Sequence, residues 1–424
     1  MGALLTAFFI VFLMLGVPIA VTLGLACIFA VTVTGAFPVQ VLVQKMFNTA
    51  NSFSLMAIPF FILAGNIMAS GGVSRRLVNL AAALFGRTSG GLALVATLAS
   101  TFFGAVSGSA PATTAAIGGV MIQPMIEKGY DKNFAGAVVA ASGTIGLIIP
   151  PSLTMVLYGV STGVSIGDLF LAGIIPGIII CIALMIVEYV ISVRRSYRGE
   201  EKASREVIAK AFKESVWAIL MPVIILGGIY AGVFTPTESA AVAVVYGLIV
   251  GLFFYKEISF AELPKLILKS AKSTALLMYL MITADVLSYV LVSEQIPQNI
   301  ANSILSVSQS AIVVQLIMVV ILLIVGTFLN NSAAMVLLAP IFYPIIMSLH
   351  IDPLFFGIIM VITLAIGHNT PPVGLCLFIA CDIGGLKLED LVKEIVPLVA
   401  VLIVTVVLLN FFPEIILFLP RLVR

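Results

Sequence analysis

Charged residues are scarce in this sequence, and their scarcity excludes a water-soluble protein. Asp, Glu, Lys and Arg make up 9% of the 424 residues, whereas 61% are hydrophobic and the mean hydropathy is +1.24. A soluble domain carries about 25% charged residues, which it needs to cover its surface. The apolar runs are about 20 residues long and do not alternate with polar residues, so they predict membrane-spanning helices and not a membrane barrel.

Residue types that carry catalysis or bind metals are also few. The chain has only two histidines, His350 and His368, and neither a HExxH nor a nucleophile-elbow motif. The four cysteines lie in apolar segments without a CxxC spacing, so we predict ordinary core residues. These absences favour transport over an enzyme. No basic segment precedes the first apolar run, so we expect no cleaved signal peptide and one retained helix over residues 3–34.

The order of apolar and amphipathic stretches predicts an all-α polytopic membrane protein in five parts. Residues 1–50 hold the first helix and an outer amphipathic arm. Residues 51–193 form a first repeat with a hairpin at about 90–126 and a broken helix at 132–160. Residues 194–255 hold a cytoplasmic linker and two scaffold helices. Residues 256–412 form a second repeat with an inner arm, a hairpin at about 310–349 and a broken helix at 353–380, and 413–424 are a C-terminal tail.

The basic residues predict the orientation in the membrane. With the N-terminus inside, 18 of the 21 Lys and Arg lie on the inner side, and Lys45, Arg421 and Arg424 lie outside. Basic residues concentrate on the cytoplasmic side of membrane proteins. We therefore predict a cytoplasmic N-terminus and a periplasmic C-terminus. The same split results whether each hairpin re-enters the membrane or crosses it twice, so charge does not decide between these two.

The chain contains a weak internal repeat with a constant offset. GAVSGSA from Gly104 is matched by GTFLNNSA from Gly326, an offset of 222. Asp131 and Asp352 are 221 apart, and so are the two Pro–Pro pairs that begin at 150 and 371. The amphipathic arms of the two copies lie on opposite sides of the membrane, so the copies are inverted. Inverted repeats with helices interrupted at matching positions are typical of secondary transporters, whose substrate binds at the interruptions.

The prolines explain why the interruptions form a site. Pro150, Pro151, Pro371 and Pro372 lack an N–H and prevent a regular helix, which leaves carbonyls unpaired at membrane depth. A lipid environment tolerates unpaired carbonyls only where they line a site. We therefore predict unwound stretches at 143–146 and 367–370.

The two hairpin tips add side-chain oxygens to these carbonyls. Ser107–Gly108–Ser109 supplies hydroxyl groups and Asn330–Asn331–Ser332 supplies amide groups. Oxygen-rich sites of this kind suit a small hard cation such as Na⁺, and helix N-termini at the tips favour an anionic substrate. The alternative role of small residues is close helix packing, which we favour for four other glycines: Gly118, Gly119, Gly227 and Gly228.

Three motifs in order resemble one transporter family over essentially the whole chain. They are GAVSGSAPATTAAIGGVMIQPM, TPTESAA at Thr235–Ala241 and GHNTPPVG at Gly367–Gly374. The sequence resembles the large membrane subunit, of DctM type, of the tripartite ATP-independent periplasmic (TRAP) transporters in the ion transporter superfamily. The resemblance implies two re-entrant hairpins, a scaffold and a mobile transport domain. It implies a Na⁺-coupled importer that works by an elevator mechanism in the bacterial inner membrane. The implied substrate is a carboxylate, namely a C4-dicarboxylate, a sialic acid or another organic acid.

The resemblance also implies partners and site residues. The partners are a small four-helix membrane subunit, expected to be separate because nothing precedes Met1, and a periplasmic substrate-binding protein. Na⁺ is the coupling ion, and no other cofactor or metal is expected. The residues carried over for the first Na⁺ site are Gly104, Ser107, Ser109, Gly143 and Gly146. Those for the second are Gly326, Asn330, Asn331, Gly367 and Thr370. Those for the substrate are Ser109, Thr113, Asn331, Asn369, Thr370 and Pro372.

Several alternatives stay open at the level of the sequence. One is a stand-alone divalent-anion/Na⁺ symporter, which has a similar inverted architecture. The others are a channel and a membrane-embedded enzyme. Asp285, at membrane depth in MITADVLSYVL, has either a coupling role or a polar contact within the scaffold. Glu238 in TPTES either stabilises a helix start or docks a partner at the outer face.

Overall fold

The computed structural model describes residues 1–199, 203–296, 299, 310–371 and 373–423. These residues form helices and no strand. In the first half the helices are α1 (Gly2–Met14), α2 (Ile19–Thr34), α3 (Val39–Ala50), α4 (Ala57–Ser70), α5 (Val73–Phe85), α6 (Gly91–Ser107), α7 (Ala110–Glu127), α8 (Lys132–Gly143), α9 (Leu153–Thr162) and α10 (Ile166–Arg194). A short 3₁₀ turn, Thr144–Leu147, follows α8.

The second half continues in the same manner. Its helices are α11 (Arg205–Tyr230), α12 (Pro236–Ile249), α13 (Leu263–Ser293), α14 (Ala311–Phe328), α15 (Asn331–Ser348), α16 (Pro353–Gly367), α17 (Leu375–Gly384), α18 (Leu388–Phe411) and α19 (Pro413–Val423). A π-turn, Val250–Phe254, extends α12. Within the described ranges, eight helical segments are long and apolar enough to cross a membrane. The polytopic, all-helical prediction is confirmed.

The single first helix predicted over residues 3–34 is wrong. Gly16 adopts a left-handed backbone with φ +75°, and Pro18 precedes the first turn of α2. The two helices fold back on each other, so the rings of Phe8 and Phe12 lie 5.6 and 5.5 Å from the ring of Phe29. The amine of Met1 lies 3.1 Å from Glu294 at the end of α13. Hydropathy does not reveal this turn because the residues on both sides of it are equally apolar.

Three other predicted boundaries also differ. The inner arm and the following span, predicted as separate elements, form one continuous helix, α13, of 31 residues. The polar stretch 194–214 predicts a loop, but the linker after α10 is shorter, because α11 already begins at Arg205. The C-terminal tail is helical over Pro413–Val423, where it packs on α10 and α16 and buries Ile416.

The internal repeat is visible in the caps and in the packing. Asp131 and Asp352 each accept two backbone N–H groups at the start of α8 and α16. Helix α9 of the first repeat packs on α15 of the second hairpin, and α17 of the second repeat packs on α7 of the first hairpin. Tyr158 of α9 also donates a hydrogen bond to the carbonyl of Pro353, at 2.8 Å. The hairpins and the broken helices therefore interlock in one unit.

Glu238 and Asp285 make structural contacts. Thr235 and Glu238 form a reciprocal capping box at the start of α12, in which Glu238 Oε2 accepts from the Thr235 N–H at 2.7 Å. Asp285 of α13 lies 2.6 Å from the hydroxyl of Thr49 on α3. Glu238 thus stabilises the start of α12, and Asp285 links α13 to α3.

Removing the cap should lower stability and leave transport intact. We expect Thr235→Val to lose about 1 kcal/mol, because an N-cap hydroxyl satisfies a backbone N–H that otherwise lacks a partner. The melting temperature of the purified protein in detergent measures this loss. Thr235→Ser keeps the hydroxyl and is the control. Equal melting temperatures for the Val and Ser variants would contradict the capping role.

Candidate transport site

The first hairpin turns within two residues, and its tip rests on the first helix break. Helix α6 ends at Ser107, Gly108 with φ +61° is its C-cap, and Ser109 is the N-cap of α7. A side chain at position 108 would lie 2.7 Å from the carbonyl oxygen of Pro151, so only glycine fits there. The tip and the break are therefore in direct contact.

The tip orders its own oxygens through a short hydrogen-bonded chain. The hydroxyls of Ser107 and Thr113 are 2.9 Å apart. The Thr113 hydroxyl also lies 2.8 Å from the carbonyl oxygen of Ser109. Gly146 in the 3₁₀ turn packs against this group, since a Cβ added there would lie 2.4 Å from the Thr113 hydroxyl oxygen. The oxygens of the tip thus lie against the 3₁₀ turn Thr144–Leu147, which together with the last residue of α8 replaces the unwound stretch predicted at 143–146.

The second hairpin turns at Leu329 and Asn330. The Asn330 side chain is the N-cap of α15 and accepts from the Ser332 N–H at 2.9 Å. The next N–H, that of Asn331, donates to Nε2 of His368 at 3.3 Å. Because Nε2 is the acceptor, His368 is neutral and carries its proton on Nδ1. The second tip therefore rests on the second break through a histidine that has no counterpart in the first repeat.

Two glycine crossings recur at equivalent positions of the repeats. A Cβ at Gly104 would lie 2.6 Å from the Cα of Gly146, and a Cβ at Gly367 would lie 2.4 Å from the carbonyl carbon of Gly326. The distances leave no room for any side chain, because real Cβ atoms do not approach backbone this closely. Each hairpin therefore crosses its broken helix backbone against backbone.

Buried polar groups without partners cluster at the second break. Asn331 is 2% exposed, and neither its amide nitrogen nor its amide oxygen has a hydrogen bond within the described residues. In the same part of the chain, His368 Nδ1 and Asn369 Oδ1 are also unpaired. An unpaired buried polar atom costs about 1–3 kcal/mol. Such a cluster is typical of a site that a ligand completes.

A cavity of about 290 Å³ lies between the two tips. Its walls come from both tips, from the first break, from His368, and from helices α4 and α13 on the opposite side. Helices α7 and α15 begin at this cavity, so the positive ends of both helix dipoles point towards it. Its described wall contains no Lys or Arg. Recognition of an anion here would rest on helix ends, amides and hydroxyls.

The structure separates the residues expected around the substrate. Ser109 and Asn331 line the cavity. Thr113 and Asn369 are fully buried behind its wall. Thr370 is half-buried and its hydroxyl bonds to the carbonyl of Ile366. Pro372 lies outside the described residues.

The structure brings the residues expected around the cations closer together than those expected around the substrate. Gly104, Gly146, Ser107 and Ser109 meet at the first crossing, while Gly143 packs beside them against Thr114. The second set divides into two groups. Gly326 meets Gly367 at the second crossing. Asn331 meets His368 at the tip, where Asn330 caps α15.

Sequence reasoning missed the wall opposite the tips. Asn66 of α4 and Ser273 of α13 both line the cavity, and the Asn66 amide donates to the Ser270 hydroxyl at 2.9 Å. Asn66 is the single polar side chain of the apolar stretch AIPFFILAGNIMA, and that isolation was the available signal. Nothing in the repeat pattern linked α4 to the tips, because the contact exists only in the folded chain.

Paired hairpin tips, glycine crossings and broken helices around one cavity define a multi-pass membrane transporter. Residues 6–415 match the family described as the tripartite ATP-independent periplasmic transporter, DctM component. The chain therefore belongs to the DctM family of TRAP transporter large permeases. This membership excludes the enzyme alternative and confirms the family predicted from the three motifs.

Curated relatives carry transporter names with different cargoes. The chain is 44% identical over 412 residues to the isethionate TRAP transporter permease DctMQ of Oleidesulfovibrio alaskensis, covering 97% of this chain and 65% of that one. It is 42% identical to the C4-dicarboxylate large permease DctM of Pseudomonas aeruginosa, covering 94% of both chains. It is 36% identical to the sialic acid large permease SiaM of Vibrio cholerae, covering 96% of this chain and 95% of that one.

A solved structure shares the fold. The Alcanivorax borkumensis YdaH transporter aligns with a TM-score of 0.62 over 88% of this chain and 87% of that one. The two sequences are 15% identical. At that identity the match supports the helical architecture alone.

Proposed function

We propose that this chain is the large membrane subunit of a Na⁺-coupled importer of an organic acid. The observation that carries the proposal is the cavity between the two hairpin tips, with the unpaired buried amide of Asn331 on its wall. Hydroxyl, amide and carbonyl oxygens are the ligands that hard cations such as Na⁺ prefer. Two such clusters at equivalent places of the repeats support two cation sites.

The substrate in this proposal is an organic anion, a carboxylate or a sulfonate, bound between the tips. The helix ends at Ser109 and Asn330 attract a negative charge, and the cavity volume of about 290 Å³ fits a small organic acid. The names of relatives refer to isethionate, C4-dicarboxylates and sialic acid. We propose an organic acid of this group, delivered by a periplasmic binding protein, with a small four-helix membrane subunit as the second partner.

The mechanism we propose is an elevator movement. The hairpins and broken helices interlock through α7–α17 and α9–α15, which favours their movement as one transport domain. Helices α4 and α13 supply the opposite wall and would stay in the scaffold. On this view the two tips are re-entrant, and the cavity opens to either side as the transport domain slides past the scaffold.

We propose that the protein lies in the inner membrane of a bacterium. The N-terminal ends of α5, α11 and α13, which are rich in Lys and Arg, then face the cytoplasm. The C-terminus would then be periplasmic. Because α1 and α2 fold back and Met1 lies at Glu294, the far end of α13, the N-terminus would be periplasmic as well. This replaces the cytoplasmic N-terminus inferred from a single first helix.

Uptake into proteoliposomes tests the proposal. The chain, its small membrane subunit and the cognate binding protein are reconstituted and offered labelled succinate, isethionate or sialic acid. We expect uptake of one acid only with both an inward Na⁺ gradient and the binding protein. Uptake by the purified chain alone would favour a stand-alone symporter, and conductance without a Na⁺ gradient would favour a channel.

A serine variant tests the first cation site. We expect Ser109→Ala to raise the Na⁺ concentration for half-maximal uptake about tenfold, the effect of losing one ligand worth roughly 1.4 kcal/mol. Ser165→Ala is the matched control, because Ser165 is also an N-cap serine but caps α10, away from the cavity. An unchanged Na⁺ dependence of the Ser109 variant would refute the site.

A further inference from the structure

A second cavity, of about 620 Å³, lies at the end of the molecule that is rich in Lys and Arg. It is enclosed by α5, by the first turns of α11 and by the turn after α12, and it shares no residue with the cavity between the tips. Four basic side chains line it: Arg75, Arg76, Lys210 and Lys213. Two acidic side chains, Glu214 and Glu257, lie on the same wall. The lining therefore has an excess of two positive charges.

One of the four basic side chains is held in a fixed position. Arg76 lies 2.7 Å from Glu257 and 3.8 Å from the centre of the Tyr255 ring, and it also donates to the carbonyl of Gly72. A side chain at Gly72 would collide with Glu257, at 2.3 Å. Arg76 and Glu257 thus neutralise each other on the wall of the cavity.

The three other basic side chains have no such partner. Arg75, Lys210 and Lys213 are exposed at the cavity and form no ion pair with any residue that the structure describes. Glu214, the second acid, is exposed beside Lys213. Three unpaired cations around one concave space attract an anion.

The aromatic residues of this corner indicate where the anion comes from. The rings of Trp217 and Phe254 stack at 4.0 Å and form one wall. Phe254 and its chain neighbour Phe253 are 49% and 60% exposed. Exposed aromatic side chains next to Lys and Arg are typical of the membrane–water interface. An anion here can therefore keep an apolar tail in the bilayer.

We propose that this cavity binds the phosphate-bearing headgroup of an anionic phospholipid. Lys210, Lys213 and Arg75 would pair with the phosphate oxygens, and the acyl chains would lie along Phe253 and Phe254. Hydrogen bonds hold the corner in place, from the Ser215 hydroxyl to the Arg76 carbonyl at 2.9 Å and from the Tyr255 hydroxyl to the Glu214 carbonyl at 2.8 Å. A bound lipid would join α5, α11 and the segment that leads into α13.

Native mass spectrometry of the chain, purified with its small subunit, tests this site. Phosphatidylglycerol is the ligand, and phosphatidylcholine is the neutral comparison. We expect the double variant Lys210→Gln/Lys213→Gln to bind phosphatidylglycerol about 25-fold more weakly, since each charge near an anionic headgroup contributes roughly fivefold. Lys210→Arg/Lys213→Arg keeps the charge and should keep the binding, which shows that the corner still folds.

The matched control removes two lysines from the same end of the protein. Lys265 and Lys269 are exposed on α13 and do not line the cavity. We expect Lys265→Gln/Lys269→Gln to change binding less than about twofold, as weak surface charges do. An equal loss in both double variants would overturn the proposal. Equal binding of phosphatidylcholine by the wild type would also overturn it, and so would displacement of the lipid by millimolar inorganic phosphate. A Lys210→Gln/Lys213→Gln variant that loses the small subunit but still binds the lipid would overturn it as well.

Discussion

Gly104→Ala should reduce Na⁺-driven uptake about 100-fold, the size expected when a site is displaced by roughly 1 Å. The added methyl group would lie 2.6 Å from the Cα of Gly146 and 3.1 Å from its backbone nitrogen. Neither atom belongs to a flexible side chain, so the first hairpin must move away from the 3₁₀ turn. That movement would separate the Ser109 carbonyl and the Thr113 hydroxyl from the carbonyls of the 3₁₀ turn.

The neighbouring helix offers a matched control for this change. Gly119 of α7 is exposed, and an added methyl group would meet no atom within 4 Å. Gly119→Ala should transport normally, and it should be slightly more stable because Ala favours a helix by about 1 kcal/mol over Gly. Uptake and the amount of protein in the membrane are measured for both variants. A Gly104 variant that keeps more than about half of the wild-type rate would show that the crossing tolerates a side chain, contrary to its geometry.

Asn331→Ala should abolish stabilisation by Na⁺ at the second site without destabilising the protein in its absence. Both polar atoms of this amide are buried and unpaired, so their removal leaves no broken hydrogen bond. In K⁺ buffer the variant should therefore melt at the wild-type temperature or above. In Na⁺ buffer the wild type gains stability by mass action, and the variant should lose that gain. We expect the apparent Na⁺ affinity to fall at least about tenfold.

A second buried asparagine separates this effect from a general loss of packing. Asn410 of α18 is 3% exposed, and its amide nitrogen donates to the Val406 carbonyl at 2.8 Å. Asn410→Ala should lower the melting temperature equally in Na⁺ and K⁺, because it breaks a structural hydrogen bond. Melting curves in both salts give the comparison. If Asn331→Ala lost stability equally in both salts, Asn331 would be a structural residue and not a cation ligand.

The lipid-binding corner and the cavity between the tips can be tested independently. Gly104 and Asn331 do not line the basic cavity, and Lys210 and Lys213 do not line the cavity between the tips. Failure of the Na⁺ predictions would therefore leave the lipid proposal standing. A failed lipid experiment would equally leave the transport site untouched.

The sequence by itself determined the class of protein, the repeat and the places of interruption. The low charge content requires a membrane, and the offset of 221–222 residues relates each tip and each proline pair to its counterpart. Asp131 and Asp352 cap their helices in the same way, as local chemistry requires of an Asp at a helix start. These features depend on neighbouring residues or on periodicity, which a sequence contains directly.

Only the tertiary structure decided how these parts meet. Hydropathy did not reveal the turn at Gly16, because both sides of it are equally apolar. The placement of Asn66 opposite the tips, and of Thr113 and Asn369 behind the cavity wall, depends on contacts between residues distant in the chain. Long-range packing of this kind is set by the shapes of whole helices. The glycine at 104 predicts a close approach, but only the fold shows that its partner is the glycine at 146.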